Sequence, residues 1–581
     1  MIHQRLYGSV RDWLLVHVRF LAALAVLTLL AGLPLFQFKE MSGHDSLAYL
    51  PRFVEFWQVL KHGTLVPRWA PDLGAGYGEP TFNFNPPLLY YLGSFFHALG
   101  FTFIASEDLA IFALLLTAAV GMYLFGNSIW GRHGGLVAAT AYVYAPFLLV
   151  RLYVNHALAD FAAFAFLPFA FWGVYYAVAK GSGTHRFMCV LAVAALMLTS
   201  ISVAVIVMPA LALVVAWLSW QRRSWRSLAA GVWCLGMGIG LSAFFWIPAF
   251  GETAFVHIHR REEGGLNYHL HFLHIQQLLY SAWGYGLSPN GFSFALGPAH
   301  LALLAVAAVL LRPLWRTSKS AAALLTSLLL LILVSVFFMT RASLFIWNHV
   351  GALHPLQFPW RFLSYVAFAI AFAAGAPFLF LRAEAGKRRI ANWLMCGAVG
   401  AIFLLNFYHA APQTFLTVTD ADYSPLNISS KGLPATAREF EPIDVQQFPA
   451  QPASTEITVL SGAANYSLVD NAPSKRSFSI VVSQPARLRL NTFYFPGWTL
   501  YVDNVETPTS HANEQGLMDF SLPTGKHDVR LEFHDTPIRT WSTRLSLATL
   551  ALLLLAPAAS YTLRRFRRRA DGPPGASEGA A

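Results

Sequence analysis

Long apolar stretches recur along this chain, and each is about as long as a bilayer is thick. Ala321–Met339 and Pro359–Leu381 are two examples, and about 20 apolar residues in a helix are needed to cross the hydrocarbon core of a membrane. Of the 581 residues, 56% are hydrophobic and only 12% are charged. A soluble domain has no use for so much apolar surface. We therefore predict an α-helical polytopic membrane protein.

Basic residues gather in short clusters at the ends of the apolar stretches. The clusters are Arg222, Arg223 and Arg226; Arg312, Arg316 and Lys319; Arg382, Lys387, Arg388 and Arg389; and Arg564, Arg565, Arg567, Arg568 and Arg569. Such clusters mark cytoplasmic ends of spans, so the net charge of +11 does not indicate a nucleic-acid partner. Following them along the chain predicts about 12 spans with both termini in the cytoplasm. In this path Pro86–Ile104 lies at the interface or is re-entrant.

The composition also predicts domains. A transmembrane domain covers residues 1–409 and includes a long charged outer loop at 37–85. Residues 410–540 contain short alternating runs between turn signals, which is typical of an outer β-sandwich-like domain. A final span at 541–563 and a basic cytoplasmic tail at 564–581 follow. The three cysteines lie in apolar stretches, so the outer parts have no disulfide.

Asp45, in the outer loop just after the first span, is the first candidate for chemistry. A carboxylate in a partly dry cleft can act as a general base, because burial raises its pKa. The structural alternative is a helix N-cap, since Asp45 precedes an amphipathic segment and Asp is a favoured cap.

Asp160 is the second candidate. His156 and Asp160 are four residues apart, so on a helix they share one face. An ionisable residue at the edge of an apolar span needs a partner or a task. The alternative to a catalytic role is therefore an ion pair with His156 or Arg151 that fixes a pair of helices.

Arg151, Arg341 and Arg361 lie on the predicted outer side, where cations could bind a phosphate. Arg361 follows Trp360 at the start of a span, and its guanidinium could hold a phosphate through two hydrogen bonds. The alternative is interfacial anchoring of both residues.

Five histidines, which could bind a metal, lie close together after a span. They are His257, His259, His269, His271 and His274. No spacing among them matches a zinc signature, and an interfacial segment with surface histidines is the simpler interpretation.

Several motifs together resemble a known group. They are His44-Asp45; Pro67-Arg68-Trp69 with Gly74 to Pro80; Phe82 to Leu88; Arg151 with Asp160; Trp283 to Gly286; Gln357-Phe358-Pro359-Trp360-Arg361; Phe495 to Asp503; and Gly525-Lys526-His527. The chain resembles the YfhO-like bacterial integral membrane proteins, within the GT-C superfamily of glycosyltransferases.

The resemblance implies an enzyme of the bacterial inner (plasma) membrane that takes sugar from a polyprenyl-phosphate donor and passes it to a cell-envelope glycan or lipid. It implies catalytic roles for Asp45, as general base of an inverting transfer, and for Asp160. Residues expected to bind substrate are His44, Arg52, Glu79, Arg151, His156, Gln357, Trp360 and Arg361.

The first loop lacks an Asp-x-Asp pair, so a divalent metal is possible but not favoured, and no metal ligand or cofactor is predicted. Two other functions stay open. One is a flippase or transporter for a lipid carrier, which charges buried in mid-span would favour. The other is a non-catalytic assembly protein of the cell envelope.

Overall fold

A computed structural model describes residues 10–262, 264–285, 291–381, 388–431 and 438–570. Several positions used in the sequence predictions lie outside the described residues, namely Gly286, Arg382, Lys387 and the last part of the tail at 571–581. The described chain is mostly helical, with an antiparallel sheet between the last two long helices.

The helices of the first half run from the first apolar stretch to the first basic cluster. They are α1 (Val10–Ala31), α2 (Ser46–Lys61), α3 (Thr81–Phe84), α4 (Leu88–Ala98), α5 (Phe103–Trp130), α6 (Arg132–Val143), α7 (Pro146–Leu149), α8 (Leu158–Phe164), α9 (Leu167–Lys180), α10 (Gly183–Met197) and α11 (Ile201–Gln221).

The remaining helices complete the bundle and end in the basic tail. They are α12 (Trp225–Leu241), α13 (Ala243–Gly251), α14 (Ile275–Leu279), α15 (Pro298–Val309), α16 (Leu311–Thr317), α17 (Lys319–Met339), α18 (Leu344–His349), α19 (Leu363–Ala373), α20 (Arg388–Asn406), α21 (Pro425–Lys431) and α22 (Pro537–Ala570).

Six helical segments in the described residues are long and apolar enough to cross a membrane, or up to nine if each of three bent helix pairs counts as one span. One bend has a clear cause: Pro313 has no N–H for the carbonyl of Val309, so α15 and α16 meet at 51°. Helix α4 has 11 residues, which is too short for a crossing. The predicted count of 12 spans stays a prediction.

The strands form one sheet rather than the two facing sheets of the expected sandwich. They are β1 (Ile457–Ala472), β2 (Lys475–Phe493), β3 (Trp498–Val502), β4 (Val505–Thr507), β5 (Leu517–Leu522) and β6 (Gly525–Phe533). The order is β1-β2-β6-β3-β4, and β5 pairs with β2. The long strand β2 pairs with both β5 and β6.

Pro485 lies in the middle of β2. The opposing strand adapts to it: the register shifts around Gly462, whose φ is +81°. A Cβ at Gly462 would lie 2.2 Å from the carbonyl oxygen of Pro485. A bulge at a glycine is how a strand tolerates a proline that cannot donate to the ladder.

The outer loop packs against this sheet. Trp69 lies perpendicular to Trp498 at 5.4 Å, and Tyr77 stacks on Phe493 at 5.3 Å between ring centroids. All four belong to the core that the sheet buries. A Cβ at Gly78 would come within 2.3 Å of Trp69, so only glycine fits there. The loop thereby covers the apolar face of the sheet, which a second sheet would cover in a sandwich.

The start of α22 is tied to the outer loop by buried charge. Arg539 and Glu252 form an ion pair of 2.9 Å with side chains 0% and 2% exposed. Asn83 also donates to Glu252, at 2.8 Å. This network holds the loop, the end of α13 and the last helix together above the bundle.

Candidate active site

A short backbone pairing between the outer loop and the segment before α8 positions Asp45. The amides of His44 and Asp45 donate to the carbonyls of Val154 and Asn155, at 3.4 and 3.0 Å. Asp45 is the residue before α2, but its side chain makes no capping hydrogen bond. The capping interpretation is therefore wrong for this carboxylate.

Asp160 has both carboxylate oxygens bound. Arg151 donates to Oδ2 at 2.5 Å, and Ser200 donates to Oδ1 at 2.6 Å. The guanidinium of Arg361 lies 3.6 Å from Oδ2. The side chains of Arg151 and Asp160 are only 4% and 8% exposed, so the pair is nearly free of water.

The expected helical neighbours of Asp160 are only partly right. A π-helical turn (Val150–Val154) contains Arg151 and is followed by His156 with a φ of +52°, so α8 begins only at Leu158. His156 and Asp160 therefore do not share a helix face. The ion pair with Arg151, the other predicted partner, is present. Single π turns are frequent at functional sites because they redirect one side chain out of the regular helix.

The Gln357–Arg361 motif forms a tight turn before α19. Gln357 has a φ of +58°, and the amide of Phe358 donates to the carbonyl of Leu356 at 2.6 Å. This is a γ-turn around a non-glycine residue, a strained conformation that packing must hold in place. The turn directs Arg361 toward Ser202, which accepts a hydrogen bond of 2.5 Å from Nη1.

These elements enclose a cavity of about 280 Å³. The predicted site residues that line it are Asp45, Arg52, Arg151, Asp160, Gln357 and Arg361. The predicted residues thus bring two carboxylates and three guanidinium groups into one cavity, from separate parts of the sequence. A volume near 300 Å³ is at the small end of ligand pockets.

The two carboxylates differ in their surroundings. Among the described residues, none donates a hydrogen bond to the side chain of Asp45, whereas Asp160 is held by Arg151 and Ser200. Burial raises the pKa of Asp45 above its ordinary value, against the opposing effect of Arg151, Arg52 and Arg361. Asp45 is thus the carboxylate able to take a proton, and Asp160 is bound as an anion that orients arginines.

Four predicted substrate-binding residues are not among those that line the cavity. His44 lies near the carbonyl of Tyr285, with its Nε2 at 3.2 Å, and Trp360 lies under the guanidinium of Arg151, 5.2 Å from ring centroid to Cζ. Glu79 and His156 are buried, 3% and 2% exposed. Trp360 supports the site by holding Arg151. Glu79 and His156 are not part of the cavity lining.

Other cavity residues were not predicted. Tyr49 accepts a hydrogen bond of 3.1 Å from the amide of Ala159, and Ser200 and Ser202 bind Asp160 and Arg361. Ser200 lies between α10 and α11, and Ser202 is in the first turn of α11. The polar run from Thr199 to Ser202 between two apolar stretches is the signal that could have found them. Glu439 also lines the cavity, but it comes from beyond the bundle and no local pattern marks it.

The histidines of the histidine-rich loop do not lie together as metal ligands would. Over the described chain, which omits residue 263 in this loop, no three of its histidines lie within metal-binding distance of one another. His271 instead lies 2.7 Å from the carbonyl of Gly265, and His257 lies 2.9 Å from that of Val445.

Comparison with known proteins shows a family match over more than half of the chain. The family model is described as a 6-pyruvoyl-tetrahydropterin synthase related domain, membrane protein, and it matches residues 82–407. An uncharacterized protein of Lactococcus lactis subsp. cremoris (strain MG1363) is 22% identical over 238 residues, which is 39% of this chain and 39% of the relative's own length.

Among solved structures, similarity is low in sequence and moderate in coverage. ArnT from Cupriavidus metallidurans bound to undecaprenyl phosphate is 12% identical, with a TM-score of 0.39 over 73% of this chain and 78% of that one. The archaeal oligosaccharyltransferase AglB from Archaeoglobus fulgidus, in complex with an inhibitory peptide and a dolichol-phosphate, is 14% identical. Its TM-score is 0.44 over 74% and 61% of the two chains.

Proposed function

The chain belongs to the family of membrane proteins described as the 6-pyruvoyl-tetrahydropterin synthase related domain, and we propose that it is a glycosyltransferase. Its donor is a polyprenyl-phosphate-linked sugar, and its acceptor is a glycan or lipid of the cell envelope. The observation that carries this proposal is the cavity with one unbound carboxylate, Asp45, opposite three arginines. The outer-loop and Gln357–Arg361 motifs resemble those of the YfhO-like group within the GT-C superfamily, and this resemblance supports the same chemistry.

The arginines suit a lipid phosphate. Arg52, Arg151 and Arg361 all line the cavity, and preorganised cations are the largest expected contribution to a reaction in which negative charge grows on a leaving phosphate. Asp160 neutralises part of this charge in the absence of substrate and orients Arg151 and Arg361. Trp360, beneath Arg151, keeps that guanidinium facing the cavity.

The reaction then needs a base on the acceptor side. The acceptor hydroxyl gives its proton to the carboxylate of Asp45, and its oxygen forms a bond to the anomeric carbon of the sugar. The bond from that carbon to the phosphate oxygen breaks, and the polyprenyl phosphate leaves with the electron pair. Attack opposite to the leaving group inverts the anomeric centre. The raised pKa of Asp45 suits this role, because a stronger base accepts the proton more readily.

The experiment is transfer by the full-length protein in lipid vesicles, with a panel of polyprenyl-phosphate sugars. Donor consumption is measured with cell-envelope lipid and glycan fractions as acceptors. We expect Asp45→Asn to lower turnover by about two orders of magnitude, the scale of a general base. Asp470→Asn, on an exposed position of β1, is the matched control. Wild-type protein that consumes no donor, or Asp45→Asn with normal turnover, contradicts the proposal.

A further inference from the structure

Outside the cavity lining, three metal-ligating side chains from separate parts of the chain lie together. Glu40 follows the first helix, Glu107 is in the first turns of α5, and His156 lies in the break before α8. One ligand atom from each lies within 4.8 Å of the others. All three residues are buried, with exposures of 2%, 6% and 2%.

Part of this cluster lacks hydrogen-bond partners. Neither ring nitrogen of His156 forms a hydrogen bond with another described residue. Oε1 of Glu40 forms none either. A buried polar atom left without a partner costs about 1–3 kcal/mol. The imidazole of His156 thus has two nitrogens without partners and lies beside two carboxyl groups. A coordinated metal would give one of these nitrogens a partner.

The backbone holds His156 in this position under strain. Its φ of +52° is unusual for a residue with a side chain. A Cβ at Gly43 would lie 2.5 Å from the Cβ of His156, so the outer loop can pass this close only because residue 43 is glycine. Strained backbone of this kind clusters at ligand-binding positions.

The cluster is also rich in carboxyl groups. Asp108, 4% exposed, adds a third carboxyl beside Glu40 and Glu107. No lysine or arginine among the described residues forms an ion pair with any of the three. Buried carboxylates are paired with cations or hold metals.

We propose that Glu40, Glu107 and His156 bind one divalent transition-metal cation, such as Zn²⁺ or Mn²⁺. Carboxylate and imidazole together suit these ions rather than Ca²⁺ or Mg²⁺. Ligands about 2.0–2.2 Å from a shared ion lie at most about 4.4 Å apart, so the 4.8 Å cluster needs only a small closure. Three protein ligands leave further positions for water or for Asp108.

The ion would lie next to the proposed active site without entering it. His156 precedes Ala157, which lines the cavity, and Asn155 receives the hydrogen bond from the Asp45 amide. A metal that fixes His156 therefore fixes the segment that positions Asp45. Its role is to hold the outer loop, α5 and the start of α8 in one arrangement.

Binding is tested on the full-length protein in detergent, after removal of metal with a chelator. Mn²⁺ is titrated and followed by the loss of its free electron-spin resonance signal, and Zn²⁺ is then added as competitor. We expect one bound Mn²⁺ per chain that Zn²⁺ displaces. Glu40→Gln, Glu107→Gln and His156→Gln should each weaken binding at least about tenfold, because even the loss of an outer-shell partner costs that much.

Two control variants separate this site from others. Glu55→Gln removes a fully buried carboxyl outside the cluster, and His259→Gln with His269→Gln removes exposed imidazoles of the histidine-rich loop. Both proteins should bind Mn²⁺ as the wild type does. Binding that is lost in the histidine-loop variant and kept in Glu40→Gln overturns the proposal, as does a wild-type protein that binds no ion.

A folding readout covers the case in which a cluster variant is unstable. Zn²⁺ should raise the melting temperature of the wild-type protein and of Glu55→Gln, because a ligand that binds only the folded state stabilises it. It should not raise that of Glu40→Gln, which keeps the shape of the side chain. An equal rise in Glu40→Gln contradicts the assignment, and none of these measurements depends on transferase activity.

Discussion

The Arg151 guanidinium donates to the Asp160 carboxylate across 2.5 Å, between a π-helical turn and the start of α8, with both side chains nearly fully buried. This pair converts a break in the helices into a fixed wall of the cavity. The same carboxylate accepts from Ser200 at the tip between α10 and α11. Three separate segments are therefore positioned by one anionic side chain.

Asp160→Asn should destabilise the protein strongly. The substitution leaves the charge of Arg151 buried without its partner, and breaking a buried pair in this way costs about 3–5 kcal/mol. The expected result is a clear fall in melting temperature in detergent. Asp422→Asn removes one member of the exposed pair with Lys431 and should leave the melting temperature almost unchanged. Equal melting temperatures for wild type and Asp160→Asn would show that the pair contributes no stability.

The pH dependence of turnover should report Asp45. A general base acts only when ionised, so turnover should fall as the pH falls through the pKa of Asp45. Because burial raises that pKa, the fall should begin at a higher pH than for an exposed aspartate. The measurement is the profile of kcat/KM in vesicles equilibrated at each pH. The small residual activity of Asp45→Asn should not show this fall at low pH. If the fall is unchanged in Asp45→Asn, it reports the ionisation of another group.

Arg361→Lys should weaken donor binding markedly. Lysine keeps the charge but loses the planar group that can bind a phosphate and Ser202 together. Arg341→Lys, at an exposed position on the predicted outer side, is the matched control and should bind donor normally. Affinity for a polyprenyl phosphate is measured on purified protein, with melting temperature as a check on folding. If Arg361→Lys and Arg361→Ala both bind as the wild type does, Arg361 only anchors the helix.

Glu79 should make the protein less stable as the pH rises. Burial raises its pKa to about 8, from an ordinary value of 4.5. Between those pH values the folded state keeps a proton that the unfolded state has lost, so stability falls as the pH rises toward 8. Glu79→Gln cannot ionise, so its melting temperature should fall less between pH 5 and 8. The melting temperature of Glu506→Gln, at an exposed position of β4, should fall as much as that of the wild type over this range. An equal fall for Glu79→Gln would show that Glu79 is already ionised in the folded protein.

The predicted orientation can be checked by labelling. In a cysteine-free background, cysteines at Ser510, in the sheet domain, and at Ser182, before α10, should react from opposite sides of the membrane. An impermeant maleimide added to intact cells should label Ser510→Cys alone. Labelling of Ser182→Cys alone would invert the topology and move the cavity to the cytoplasmic side.

Local patterns in the chain are enough to predict the class of protein and most of the candidate residues. Apolar segments of bilayer length and clustered arginines are local properties, and they predicted a membrane protein whose polar outer loop carries Asp45. The family match bears out the membrane class. The order of the motifs also predicts Arg151, Asp160 and Arg361 as site residues. These features need only the neighbouring residues to be read.

Which charged and polar residues line the cavity together follows from the tertiary structure alone. Ser200, Gln357 and Glu439 reach the same cavity from three separate segments, and helical spacing wrongly placed His156 on one face with Asp160. The sandwich was likewise wrong, because the outer loop covers the face of the sheet that a second sheet would need. Periodicity describes contacts within one helix or strand. Ion pairs, burial and sheet pairing also depend on segments that are not neighbours in the sequence, and their geometry exists only once the chain has packed.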